Sequence, residues 1–231
     1  MLRASHTWQD ATHHTMTHLY LASTSPARLA TLRSSGIEPK VIPSHVDEDA
    51  LVARVEAERG HQLSPSELVL LLAQAKAEAV IGHHVDGAPI DGLIVGGDSA
   101  FVIDDEIYGK PHTPEKAHER WQLQRGRTGT LYSGHWVIDH RNDSVGASVG
   151  EVRSAQVTFA SDISDAELAA YIETGEPLQV AGAFTIDSLG AAFIERIDGD
   201  PSTVVGISVP TLRRLATQLG IFWPDLWNKT L

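Results

Sequence analysis

The stretch Leu19-Tyr20-Leu21-Ala22-Ser23-Thr24-Ser25-Pro26-Ala27-Arg28 passes from strand to helix within ten residues. Its first four residues form an uninterrupted apolar run and read as a short buried strand. Ser25-Pro26 then starts a helix, with serine at the cap and proline at the first helical position. That helix carries Leu29, Leu32 and Arg33 and stops near Gly36. A helix N-terminus reached this way offers unpaired N–H groups and a partial positive charge, so the turn attracts phosphate. Arg28 in the first turn opposes that dipole, and a bound anion would offset the conflict. The same turn also reads as an ordinary capped helix with a solvated arginine.

Working outward, Val41-Ile42-Pro43 reads as a second strand leading into the acid cluster Asp47-Glu48-Asp49. Such a cluster holds a divalent cation through oxygen ligands, or is a solvated loop. Leu68, Leu71, Leu72, Ala75 and Ala79 recur at helical spacing and predict a helix over 65–81, with Lys76 near the edge of the apolar face. Lys76 either reaches a pocket or snorkels to solvent. Residues 83–91 read as a polar surface loop. Leu93-Ile94-Val95 is a buried strand that ends in Gly96-Gly97, just before Asp98. Residues 100–103 and 107–108 read as hairpin arms around Asp104-Asp105-Glu106. That turn places Asp98 and Lys110 almost opposite each other, either on one rim of a cleft or as a plain salt bridge. Asp98 suits a metal ligand or a base for water, and by itself reads first as a turn cap. Pro111 fixes the backbone after Lys110.

Further on, the pattern predicts a helix over 114–123 and two long strands over 131–139 and 149–159, separated by Arg141-Asn142-Asp143. A short helix over 165–174 is capped by Asp162 or Ser164. An amphipathic helix over 210–219 is closed by Gly220. Glycines 175, 182, 190, 199 and 206 mark tight turns, and Thr174-Gly175-Glu176-Pro177 is a compact polar motif. Strands and helices mix without a strict βαβ rhythm, which predicts an α/β fold on a mixed sheet.

The chain has 231 residues, enough for one large domain or two lobes sharing a cleft. Lys+Arg 18 against Asp+Glu 30 gives a net charge of −12. That charge argues against a surface built for nucleic acid or anionic lipid, and leaves room for a small basic pocket around one phosphorylated ligand. The absence of cysteine excludes disulfides, thiolate nucleophiles and Cys-zinc sites. No apolar run reaches membrane-spanning length. The first residues lack a signal-peptide core, so a cytoplasmic protein is expected. His6, His13, His14 and His18 fall in what reads as a flexible, solvated extension over 1–18, ahead of the main domain over 19–231. Ser154, Ser202 and His135 show no triad signature, and there is no Walker lysine loop or dinucleotide fingerprint.

In these motifs the chain closely resembles the Maf (septum-formation-inhibitor Maf-like) family, over about 19–220. The family start Leu-Ala-Ser-x-Ser-Pro-Arg-Arg matches Leu21 to Arg28, its Asp-Glu matches Asp47-Glu48, and its Lys-Ala matches Lys76-Ala77. Its Gly-Ala-Asp-Thr matches Gly96-Gly97-Asp98-Ser99, and its Gly-Lys-Pro matches Gly109-Lys110-Pro111. The resemblance implies an inosine-triphosphatase-like, elongated α/β fold, with helices flanking a central mixed sheet and two lobes around a deep cleft. It implies hydrolysis of a nucleoside triphosphate to the monophosphate and pyrophosphate. Asp98 would be the proton acceptor, and Glu48 and Asp98 would hold Mg2+ or Mn2+. Ser23, Arg28, Lys76 and Lys110 would bind phosphate, with both lysines also stabilising charge in the transition state. Three positions linked in the family to substrate choice depart from its pattern: Ala27 for Arg, Ser99 for Thr, and Asp187 for Gln. Val180 also stands where Lys is usual. The cutting machinery therefore looks kept while the base-reading pocket is altered. The resemblance further suggests a homodimer, removal of non-standard nucleotides and a link to septum formation. The alternative is a non-enzymatic, nucleotide-binding regulator of cell division.

Overall fold

The computed structural model describes residues 16–228. In chain order its elements are β1 (His18–Leu21), α1 (Pro26–Ser34), β2 (Lys40–Val41), α2 (Glu48–Arg59), α3 (Pro65–Ala79), β3 (His84–Val85), β4 (Ala88–Pro89) and β5 (Gly92–Ile103). There follow β6 (Glu106–Tyr108), α4 (Pro114–Gln124), β7 (Thr128–His140), β8 (Ser148–Phe159), α5 (Asp165–Glu173), β9 (Ile194–Asp198), α6 (Pro201–Val205) and α7 (Val209–Gln218). Seven strands form one mixed sheet in the order β2-β1-β5-β7-β8-β9, with β6 also on β5. β1 runs parallel to β2 and β5, and the remaining pairs are antiparallel. Helices flank this sheet, as the α/β reading expected. Of the expected N-terminal extension, residues 1–15 lie outside the described residues; Thr17 donates its N–H to the Asp225 carbonyl, and His18 opens β1.

β5 organises the molecule. It pairs with β7 along one edge from Gly92 to Val102. On its other edge it pairs with β1 over Gly92 to Val95 and with β6 over Phe101 to Ile103. Between those ladders, Gly96 to Ala100 has no strand neighbour on that edge among the described residues. Alternate β5 residues also face opposite layers. Leu93 and Val95 pack with Leu32 of α1 and with Leu212 and Leu215 of α7. Ile94 packs on the other side with Ala77 and Val80, at the end of α3. A third apolar cluster, around Phe101, Trp121, Phe159 and Tyr171, fills the far end of the sheet.

Glycine explains how closely α3 lies on the sheet. A Cβ on Gly96 would sit 2.0 Å from the Ala73 carbonyl oxygen, and one on Gly134 would sit 2.2 Å from that of Val69. No side chain fits either place, so the two glycines are where helix and sheet touch backbone to backbone.

Several local expectations change. Gly96-Gly97 does not end a strand: β5 runs through both residues, and Asp98 sits inside it. The cluster Asp47-Glu48-Asp49, read as a cation site or a solvated loop, instead caps and opens the helix α2 over 48–59, with Asp47 accepting from the Ala50 N–H. The buried face of α3 is Val69, Leu72, Ala73, Lys76 and Ala77 rather than Leu68, Leu71, Ala75 and Ala79. Lys76 is therefore central to that face and not at its edge. Residues 83–91 contain the small β3–β4 hairpin. The long-strand hairpin, the helices near 114 and 165 and the Ser164 cap appear as expected.

Candidate active site

A cavity of about 690 Å³ opens over the unpaired stretch of β5. Ser23, Ala27, Arg28, Glu48, Lys76, Asp98, Ser99, Lys110 and Asp187 all line it. The turn from β1 into α1 brings Ser23 to Arg28 there, because β1 ends at Leu21 and the chain must leave the sheet beside the gap. The first turn of α2 contributes Glu48.

On the α3 side of β5, Lys76 Nζ donates to Asp98 Oδ1 at 2.7 Å and pairs with Glu48 Oε1 at 2.8 Å. Lys76 is 8% exposed, so its ammonium lies at the bottom of the cavity. Burial pushes the Asp98 carboxyl above its ordinary pKa, with Lys76 and Arg28 opposing the shift.

On the opposite side, Arg28 is buried and committed. Its Nε donates to the Gly206 carbonyl at 2.8 Å, its Nη1 to Ser23 Oγ at 3.1 Å, and its Nη2 to Ser99 Oγ at 3.1 Å. Ser99 Oγ meets Ser133 Oγ at 2.9 Å, and Ser133 donates to the Thr203 carbonyl at 2.8 Å. Burial pulls the guanidinium pKa down, while Asp98 and Glu48 push it up. The solvated-arginine alternative is excluded by this geometry. A guanidinium has five N–H donors, so three committed to protein leave two for a ligand.

Lys110 departs from the expected pairing. The β5–β6 ladder stops at Phe101–Tyr108, and the residue across from Asp98 is Gly134 of β7. The backbone beyond β6 is instead tied down separately. Arg120 donates to the Gly109 carbonyl, and the His112 N–H donates to Leu178 O at 3.0 Å. Lys110 is exposed on the cavity rim and, among the described residues, makes no ion pair.

Residues 18–219 match the sequence profile described as Maf-like protein. The chain belongs to the Maf-like family. It is 64% identical over 211 residues to a nucleoside triphosphate pyrophosphatase of Leifsonia xyli subsp. xyli, covering 91% of this chain and 97% of that protein. It is 48% identical to a protein of the same name from Rhodococcus opacus over 92% of this chain and 97% of that one. A third, from Thermosynechococcus vestitus, is 47% identical over 93% of this chain and its whole length.

Some residues of this Maf-like site escaped the sequence reading. Ser133 is visible only once the β5–β7 register puts it opposite Ser99. His45 lines the cavity with a left-handed backbone, φ 51°. Thr185 and Phe184 come from a segment with almost no regular structure. Among the described residues no helix is long and apolar enough to cross a membrane.

Proposed function

We propose that this chain is a nucleoside triphosphate pyrophosphatase, cutting between the α- and β-phosphates to release a nucleoside monophosphate and pyrophosphate. The observation that carries this reading is the meeting of a half-buried carboxylate, Asp98, with Arg28, Lys76 and Lys110 in one cavity. Phosphoryl transfer needs mostly positioning and charge stabilisation, and these residues supply both.

In the reaction, a water oxygen forms a bond to the α-phosphorus while the bond from that phosphorus to the bridging oxygen breaks. The water proton passes to Asp98, whose raised pKa suits a general base. The electron pair of the broken bond leaves on pyrophosphate. Lys76, held between Asp98 and Glu48, orients the base. Arg28 turns its two uncommitted N–H groups to phosphate oxygens, and Lys110 closes on them from the rim.

Glu48 and Asp98 fit a divalent cation, Mg2+ or Mn2+. Each already presents a carboxylate oxygen to one cationic point, Lys76 Nζ, at 2.8 and 2.7 Å. Among the described residues no group of three or more His, Asp or Glu side chains gathers as a metal cage. Two carboxylates completed by substrate phosphates are the usual arrangement for Mg2+. Bound there, the ion would neutralise phosphate charge.

The resemblance links Ala27, Ser99 and Asp187 to substrate choice, and all three depart from the family pattern, with an Asp187 carboxylate able only to accept. The proposed role is removal of non-standard or surplus nucleotides by a homodimer with a link to septum formation, as the family resemblance suggests, in the cytoplasm, as the missing signal-peptide core suggests.

The test is pyrophosphate release from a panel of standard and modified nucleotides with Mg2+ or Mn2+. Asp98→Asn should lower turnover by about 10²–10⁴-fold with an unchanged circular dichroism spectrum. No release by folded wild type, or full release by the variant, defeats the proposal.

A further inference from the structure

Glu176 does not line the cavity, yet it holds the segment that does. The Thr174-Gly175-Glu176-Pro177 motif ends in a 3-10 turn, Glu176–Gln179, seated by buried Pro177. From there the Glu176 carboxylate gathers donors. Oε1 accepts from Thr185 Oγ1, from the Gly190 N–H at 3.0 Å and from the Tyr171 phenol at 3.1 Å. Oε2 accepts from Ser188 Oγ at 2.7 Å and from the Leu189 N–H at 3.2 Å. Four of these five donors belong to residues 185–190 and bracket Asp187 on both sides.

Besides these bonds, Ile186 packs against the apolar cluster around Phe101 and Trp121. The segment runs between the 3-10 turns Ala181–Ala183 and Leu189–Phe193, and Ala183 itself sits at φ 59°. Thr185, Ile186 and Asp187 form one wall of the cavity. None of the five donors belongs to the phosphate-facing residues Arg28, Lys76 or Lys110.

We propose that Glu176 is a positioning residue for base recognition: its carboxylate folds the 185–190 loop and thereby sets where Asp187 meets the nucleoside. This rests on the pyrophosphatase reading above. Charge is integral to the role, because a carboxylate accepts at both oxygens whereas a carboxamide presents N–H groups at one of them. Burial alone would raise the Glu176 pKa, but the hydrogen bonds from Thr185, Ser188 and the loop N–H groups hold it at about 2. The loop therefore keeps its anchor throughout the working pH range.

The test compares steady-state kinetics of wild type and Glu176→Gln on the nucleotide panel. The variant should raise KM for the preferred nucleotide about 10-fold and shrink its kcat/KM advantage over other bases about 10-fold, with kcat within about 3-fold. Tyr171→Phe and Ser188→Ala each remove one donor and keep the carboxylate; each should raise KM by about 2–3-fold. If wild type releases no pyrophosphate, the underlying reading fails. If wild type is active and folded Glu176→Gln keeps its KM and base ratios, or loses kcat at unchanged KM, the positioning role is overturned. Should Glu176→Gln not fold, unchanged KM in both donor variants overturns it equally.

Discussion

His135 makes this fold sensitive to mild acid, by an amount that can be worked out. It is fully buried on β7. Its Nε2 accepts from the Ser208 N–H at 2.7 Å, and its Nδ1 faces the Glu151 carbonyl at 3.2 Å. Only the neutral tautomer with its proton on Nδ1 satisfies both bonds. Burial lowers its pKa to about 4, assisted by the Arg28 charge and opposed by the Glu151 carbonyl. The unfolded chain, with a histidine pKa of about 6.5, binds more protons between these values, so stability rises with pH there. The contribution is fully present above pH ~6.5 and is lost as pH falls toward ~4. The two pKa values give a loss of about 2 kcal/mol at pH 5 and about 3 kcal/mol at pH 4. For a chain of this size, 2 kcal/mol is about 4–8 °C in Tm. Ser208 caps α7, so protonation breaks the junction between α6 and α7 first. The assay is urea unfolding of wild type and His135→Gln at pH 7, 6 and 5. The glutamine accepts and donates without titrating, so the variant's stability should vary less with pH by about 2 kcal/mol over this range. A stability difference between the two proteins that is constant with pH would refute the reasoning.

The base and the seat of α3 give two more expectations. On the proposed mechanism activity needs ionised Asp98, whose pKa burial shifts up against the Lys76 and Arg28 charges, so the acidic limb of the kcat–pH profile should respond to those charges. Lys76→Met removes the largest charge opposing that shift and should move the limb further up; an unmoved limb argues against Asp98 as base. Gly134→Ala places a Cβ 2.2 Å from the Val69 carbonyl oxygen and must lift α3. That change should cost about 1–3 kcal/mol in urea unfolding. By shifting Lys76 from Asp98 it should also lower kcat about 10²-fold.

The sequence disclosed the site better than the backbone that carries it. The cavity collects all nine candidate residues, which short polar motifs and the family resemblance marked together. Helix α2 was missed because none of its residues is buried, so no apolar face marks it. The face of α3 was misread because a helix lying backbone to backbone on a sheet buries small residues, Ala73 and Ala77, while leucines ride higher. Gly96-Gly97 looked like punctuation because a glycine that admits a neighbouring helix and one that ends a strand are the same letter. Asp98 and Lys110 were placed across a hairpin that stops short of them, since ladder length depends on where β6 leaves the sheet. Ser133 and the Glu176 anchor rest on contacts distant in sequence, which no local pattern encodes.

The alternation of β5 also divides labour. Even-numbered Asp98 answers to Lys76 and Glu48, and odd-numbered Ser99 answers to Arg28 and Ser133. Neighbours in sequence thus keep separate hydrogen-bond partners on opposite faces of the strand, although the Arg28 charge still reaches Asp98. A substitution at 99 changes the hydroxyl that Arg28 meets without touching the contact between Lys76 and Asp98, the proposed base. On the proposed roles, point substitution there is a gentle path to new substrates. Insertion or deletion of one residue before Asp98 is closed, since it would hand the acid to the arginine side and the hydroxyl to the lysine.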